Sequence, residues 1–383
     1  MPAKKLLFDL LRCEICGHTL PETIENSLNE EILSELYDIA SSQDLAHLLS
    51  DVLIKNGLIE KGTEIGQKFY RTQVLAVYRY ENINFALDKV CSLLESLEIP
   101  FIPLKGSVIR EYYPESWMRT SSDIDILVHP EDFEKALSLL QQNSYKMSTR
   151  SSHDVTLKAQ NGVHIELHFS LLEESYLFPS NHILQNPWDY TVPYNGCRYR
   201  TCFTDEMLYF YHIAHMAKHL INGGCGIRFF IDTYLLNRAE FGGEKRANLL
   251  ANGGLLDFEK TASHLSEVWF GNAAHTELSQ DLENWVLSAG VFGDIENYVA
   301  IRREDSSKLE YVLSRLFLPY SQLKLHYPRL EKYPFLLPFY HIARIVRHIK
   351  TGRLKYSSNE LKKSLYEKQD HSSALLLKKL GLK

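Results

Sequence analysis

The stretch that decides the fold is Ser122-Asp123-Ile124-Asp125-Ile126-Leu127-Val128. Side chains alternate between the two faces of a strand, so Asp123 and Asp125 project together while Ile124, Ile126 and Val128 enter the opposite, buried face. Two carboxylates this close repel each other unless a cation sits between them. Hard oxygen ligands of this kind suit Mg²⁺, with Mn²⁺ as the alternative.

Upstream, Phe101-Ile102-Pro103-Leu104 reads as a short strand, and Lys105-Gly106-Ser107 opens a short helix over Val108 to Tyr113. A glycine at such a junction lets a phosphate approach the backbone, and free N–H groups at a helix start attract anions. Ser107 either adds a hydroxyl to that cradle or is an ordinary N-cap in a tight turn. Downstream, Pro130 precedes a helical pattern over Glu131 to Gln142. Two strands, His153 to Ala159 and Val163 to Phe169, then flank Gln160-Asn161-Gly162, whose Asn-Gly pair signals a hairpin. In the second of them His164, Glu166 and His168 share one face and Ile165, Leu167 and Phe169 the other, which makes Glu166 the candidate third carboxylate.

The flanks are helical. Periodicity places amphipathic helices at Glu31 to Ile39 and Leu45 to Ile54, with Ser41 and Ser42 as N-caps for the second, and a longer helix from about Thr63 to Leu97, before Pro100. Helices resume at Asp205 to Leu220 and Arg228 to Asn237. His212, His215, Lys218 and His219 fall at helical spacings there, followed by Arg228 and Asp232 four apart, and this wall is expected to face the cleft. His215 and His219 have the spacing of a zinc pair but lack the accompanying glutamate, and Arg228 and Asp232 are placed to pair locally. The expected architecture is α+β: a small mixed sheet flanked by helices, with a helical N-terminal region over 1–70, a core over 71–200 and a helical C-terminal domain over 201–383.

Composition sets the class. A chain of 383 residues with 45% hydrophobic content folds around an ordinary core. Its net charge of -6 hides an asymmetry: residues 1–60 carry 4 Lys/Arg against 11 Asp/Glu, and residues 343–383 carry 11 against 3. The basic end reads first as solvated helix faces and second as a grip for phosphates, with Arg344, Arg347, Lys350 and Arg353 as its cations. No apolar run is long enough to span a membrane and no signal-peptide core stands at the N-terminus, so no membrane partner and a cytoplasmic location are expected. The six cysteines show no framework, and Cys13-x-x-Cys16 lacks the second pair that would complete a zinc site.

Gly106-Ser107, then Asp123-Ile124-Asp125, then Ile165-Glu166-Leu167 resembles the DNA polymerase beta-like nucleotidyltransferase superfamily: Gly-Ser, an Asp-x-Asp bracketed by apolar residues, and a carboxylate on a later strand. More narrowly, Leu104-Lys105-Gly106, Arg119 and Ser122 to Val128 resemble the bacterial uncharacterised nucleotidyltransferase group. The resemblance covers about residues 70 to 235. It implies a transferase moving a nucleoside monophosphate from an NTP, ATP first, to an acceptor hydroxyl or other nucleophile, with release of pyrophosphate through two metal ions. On it, Asp123, Asp125 and Glu166 are the catalytic metal ligands. Lys105, Gly106, Ser107, Arg119, His215, Lys218, His219 and Arg228 are the candidate substrate contacts, with Lys105 and Arg119 equally open to structural ion pairing. A small-molecule or protein acceptor is favoured slightly. The rival readings are a non-catalytic nucleotide- or partner-binding module of the same fold and an RNA-directed enzyme that uses the basic C-terminal helices.

Overall fold

The computed structural model describes residues 3–172, 181–239, 243–288, 290–291, 293–303, 310, 313, 317–320, 323, 327, 329–350 and 372–383. Strand β2 (Asp123–Val128) lies inside a five-stranded sheet with β1 (Phe101–Pro103), β3 (Lys146–Arg150), β4 (Asp154–Lys158) and β5 (His164–His168), in the order β1-β2-β5-β4-β3. β2 and β5 run parallel, and the other neighbouring pairs are antiparallel. A parallel pair needs a crossover, and here it runs through helix α6 (Phe133–Gln142) and the β3–β4 hairpin before β5 inserts beside β2. The Asn-Gly turn joins β4 to β5 as its composition demands, with Gly162 at φ +89°, a region open to glycine.

One face of the sheet is apolar. Ile124, Ile126, Val128, Val155, Leu157, Ile165 and Leu167 pack there against α6 and the C-terminal half of the long helix α4 (Glu64–Ser96). The Thr63 hydroxyl accepts from the Gly66 N–H at 3.1 Å to start α4. Gly66 is required because a Cβ there would stand 2.0 Å from the Glu60 carbonyl oxygen.

Helices α1 (Ala3–Cys16), α2 (Glu30–Ser42) and α3 (Ala46–Lys55) precede α4. Short α5 (Gly106–Ile109) follows β1, and α7 (Asn181–Gln185) and the hairpin of β6 (Thr191–Pro193) and β7 (Thr201–Phe203) follow the sheet. Then come α8 (Asp205–Ile221), α9 (Arg228–Arg238), α10 (Gly243–Asn252), α11 (Leu256–Phe270), α12 (Glu277–Ser288) and α13 (Ile295–Arg303), with α14 (Leu337–Lys350) and α15 (Ser372–Lys379) towards the C-terminus. The chain is thus α+β, with helices at both ends. Helices from the first and last stretches share one apolar core: Phe8 of α1 stacks on Trp269 of α11 at 4.8 Å, and Phe230 of α9 meets the same indole edge-on at 4.7 Å.

Some local expectations change. Ser41 and Ser42 end α2 rather than cap α3, because α2 runs beyond Ile39, and Leu45 at the start of α3 makes no side-chain cap bond. The N-cap of α2 is Asn29, whose side chain accepts from the Ile32 N–H at 2.8 Å. β3 was not legible because all five of its residues are exposed, so no alternation marks it. No helix among the described residues is long and apolar enough to cross a membrane. Arg344, Arg347 and Lys350 belong to α14, whereas Arg353 and the rest of 351–371 lie outside the described residues.

Glu14 of α1 faces Asp51 of α3, and burial, followed by its hydrogen bond to Asp51, pushes its carboxyl up to about 8. A folded-state value above the 4.5 of the free side chain means that the folded chain holds a proton the unfolded chain releases. That contribution is complete at low pH and lost as pH rises towards 8. Glu14→Gln, which keeps the hydrogen-bonding shape without the proton, should narrow the difference in melting temperature between about pH 5 and about pH 8. An unchanged pH dependence would show that this pair does not set it.

Candidate active site

The polar face of the sheet carries the site. In the β2–β5 register Asp123 lies opposite His164 and Asp125 opposite Glu166. The period-2 alternation turns Asp123, Asp125, Glu166 and His168 away from the apolar core, and the first three line one cleft. Among the described residues Asp125, Glu166 and His168 form a group that could hold a metal ion, with ligand atoms that all lie within 4.8 Å of one another. His168 is the residue the sequence reading left without a role, although its place on the Glu166 face was the available signal.

Charge is uneven across this cluster. Burial, then the neighbouring charges of Asp125 and Glu166, push Asp123 up to about 6. Burial alone would raise Asp125 too, but the Lys105 ammonium at 2.8 Å and the His168 ring nitrogen at 3.0 Å, both on Oδ1, hold it far below the usual carboxylate range. Burial opposes the charge on Lys105, yet Asp125 raises it well above the ordinary lysine value. His168 has Nε2 on Asp125 and also 3.6 Å from Glu166 Oε2, while its buried Nδ1 has no partner. The tautomer protonated at Nε2 leaves only an acceptor unsatisfied, whereas the opposite tautomer would bury an unpaired donor. His168 therefore orients Asp125 by donating to it, and the carboxylate oxygens are the donors best suited to a hard divalent ion.

Lys105 and Gly106 line the cleft. A Cβ at Gly106 would meet the Arg119 guanidinium at 2.8 Å, so the junction needs a residue without one. Ser107 is the second residue of α5 rather than its cap, and its buried hydroxyl finds no partner. Arg119 is engaged structurally: Nε and Nη2 donate to the two oxygens of Asp232 at 2.9 and 2.7 Å, and the Tyr113 hydroxyl donates to the same carboxylate at 2.7 Å. Arg228 does not pair with Asp232, as its spacing suggested. Its Nη1 lies 3.3 Å from Asp44 and donates to the Thr120 carbonyl at 3.0 Å, because Arg119 from the sheet side takes Asp232 first.

Helices α8 and α9 form the opposite wall with His212, His215, Lys218, His219, Arg228 and Phe229. The Nε2 atoms of His215 and His219 are 3.2 Å apart, and both rings lie against Phe229. His212 faces inward to the Thr233 hydroxyl at 2.9 Å, and burial lowers it to about 4. Ser41, Ser42 and Asp44, together with Tyr78, Arg79 and Asn82 of α4, complete a cleft of about 1020 Å³. Cys13 and Cys16 lie apart from it on α1, and burial pushes the Cys16 thiol up to about 11.

The model of a family described as uncharacterised nucleotidyltransferase matches residues 29–271. The chain belongs to that family. No curated protein and no solved structure matches it. Membership supports nucleotidyl transfer as the general activity. The matched span starts at the residue that caps α2 and ends just past α11, so it takes in the helices of both cleft walls as well as the sheet.

The Arg119–Asp232 pair ties the sheet side of the cleft to α9 and is almost wholly buried. Removing one partner strands a charge, so Asp232→Ala should destabilise the protein by about 3–5 kcal/mol in denaturant unfolding. Arg119→Lys, which cannot form the bidentate contact, should recover only part of that loss relative to Arg119→Ala. Wild-type stability in Asp232→Ala would remove the bracing role.

Proposed function

We propose that this protein is a metal-dependent nucleotidyltransferase that moves a nucleoside monophosphate from an NTP, ATP first, to a small-molecule or protein acceptor and releases pyrophosphate. The observation that carries this reading is the pairing of Asp125 with Glu166 across parallel strands, with Asp123 one pleat away on the same face. The donor set fits magnesium or manganese: hard oxygens, close together, with one carboxyl pushed up by burial and by its acidic neighbours. Divalent ions held by Asp123, Asp125 and Glu166 would supply charge neutralisation for the transferred phosphoryl group and make the acceptor hydroxyl more acidic.

The chain's own residues do the rest. Glu166, less buried than Asp125, would take the acceptor proton. Lys105 supplies fixed positive charge beside the polyphosphate, and Gly106 lets the backbone wall come close to it. Lys218, His215 and His219 on α8 and Arg228 on α9 face the substrates from the other side. A volume of about 1020 Å³ stands at the upper end of small-ligand sites, which leaves room for an acceptor next to the nucleotide.

The test is incubation of wild type and Asp123→Asn/Asp125→Asn with each labelled NTP, Mg²⁺ or Mn²⁺, and a cell extract as the acceptor source. Wild type should transfer label and release pyrophosphate, and the double variant should lose about two orders of magnitude or more of that rate. Equal labelling by the two proteins would remove the mechanism. Tight nucleotide binding without pyrophosphate release would instead favour the non-catalytic reading.

A further inference from the structure

Lys105 is held in a backbone conformation that residues with a Cβ avoid, at φ 47° and ψ -118°. A glycine would adopt such angles without penalty, so a lysine at this point of the β1–α5 junction keeps a strained geometry that the surroundings must enforce. The enforcement is visible. The Leu104 N–H bonds the Asp125 carbonyl at 2.9 Å, and the Val108 and Ile109 N–H groups bond the Lys105 carbonyl at 3.0 and 2.9 Å. The outcome is an ammonium directed into the carboxylate cluster, 2.8 Å from Asp125 Oδ1.

That oxygen already receives His168 at 3.0 Å. Orientation of Asp125 therefore does not require Lys105, and what the lysine adds is charge. Two other cations of the cleft have partners elsewhere, Arg119 on Asp232 and Arg228 on Asp44 and Thr120. Lys105 instead stands among the residues that would hold a divalent ion.

We propose that Lys105 makes metal binding conditional on nucleotide: it compensates the carboxylates in the nucleotide-free protein, weakening uptake of a free divalent ion, so that the ion enters with the polyphosphate. This rests on the metal-dependent reading of the site given above. A free ion would bring two positive charges beside a partly buried ammonium, where screening by water is reduced. A polyphosphate reverses the balance by supplying more negative charge than the ion carries, and Lys105 then turns from competitor to partner.

The probe is Mn²⁺, whose free and bound forms are separated by electron paramagnetic resonance, titrated into wild type, Lys105→Met, Lys105→Gln, Lys105→Arg and Asp125→Asn. Each is titrated with and without a non-hydrolysable ATP analogue. Without nucleotide, Lys105→Met and Lys105→Gln should bind Mn²⁺ about tenfold or more tightly than wild type, because a like charge has been removed from the site. Lys105→Arg should stay close to wild type and Asp125→Asn should lose binding. With the analogue the advantage of the two neutral variants should vanish or reverse. Gln retains a donor towards Asp125, so agreement between the Met and Gln variants assigns the effect to charge rather than to packing. Equal Mn²⁺ affinity in wild type and both neutral variants overturns the role of Lys105 but leaves the metal site standing. Absence of Mn²⁺ binding in every protein, with and without the analogue, overturns both.

Discussion

The parallel pairing of β2 with β5 is the constraint on which the site depends. It sets Asp125 directly opposite Glu166, and a slip of one residue would turn Glu166 into the apolar layer and bring Ile165 or Leu167 to the cleft. What prevents the slip is burial on the other face. Ile124, Ile126, Val128, Ile165 and Leu167 are all fully excluded from solvent against α4 and α6. The free energy that fixes the positions of the carboxylates therefore comes from side chains that never touch the cleft.

The cost of that arrangement appears on the polar face, where several carboxylates share a partly buried space. The structure meets it with Lys105 and His168 on one oxygen of Asp125, while Asp123 is left with an elevated pKa. Such division of neighbouring acids into one strongly ionised and one raised is a frequent property of sites that work with protons or cations. The second charged assembly, Arg119 with Asp232 and Tyr113, is of another kind. Its hydrogen bonds are buried, and its effect is to hold α9 against the loop leading into β2.

The two walls of the cleft come from different parts of the chain but not from independent bodies. α8 and α9 share a core with α1 and α3, and Asp44, just beyond α2, reaches both Thr120 and Arg228. Asp44 of the N-terminal helical region thus meets Arg228 of α9 at the cleft rim, and Ser41, Ser42 and Asp44 help to shape the substrate space.

The sequence by itself determined the acidic strand to the residue, the hairpin into β5, the faces on which Asp123, Asp125 and Glu166 stand, and the helical stretch that carries His215, Lys218 and His219. All of these follow from period-2 or period-3.6 alternation, a local property written into consecutive residues. It did not determine which strand lies beside which, because β5 reaches β2 across two intervening strands. Nor did it decide the ion pairs: local spacing offered Arg228 to Asp232, while the folded chain brings Arg119 to Asp232 and Arg228 to Asp44 and Thr120. His168 was visible as a face but not as a partner of Asp125. Only tertiary structure fixes such contacts, since a charge pairs with whatever the packing of distant apolar surfaces brings within reach.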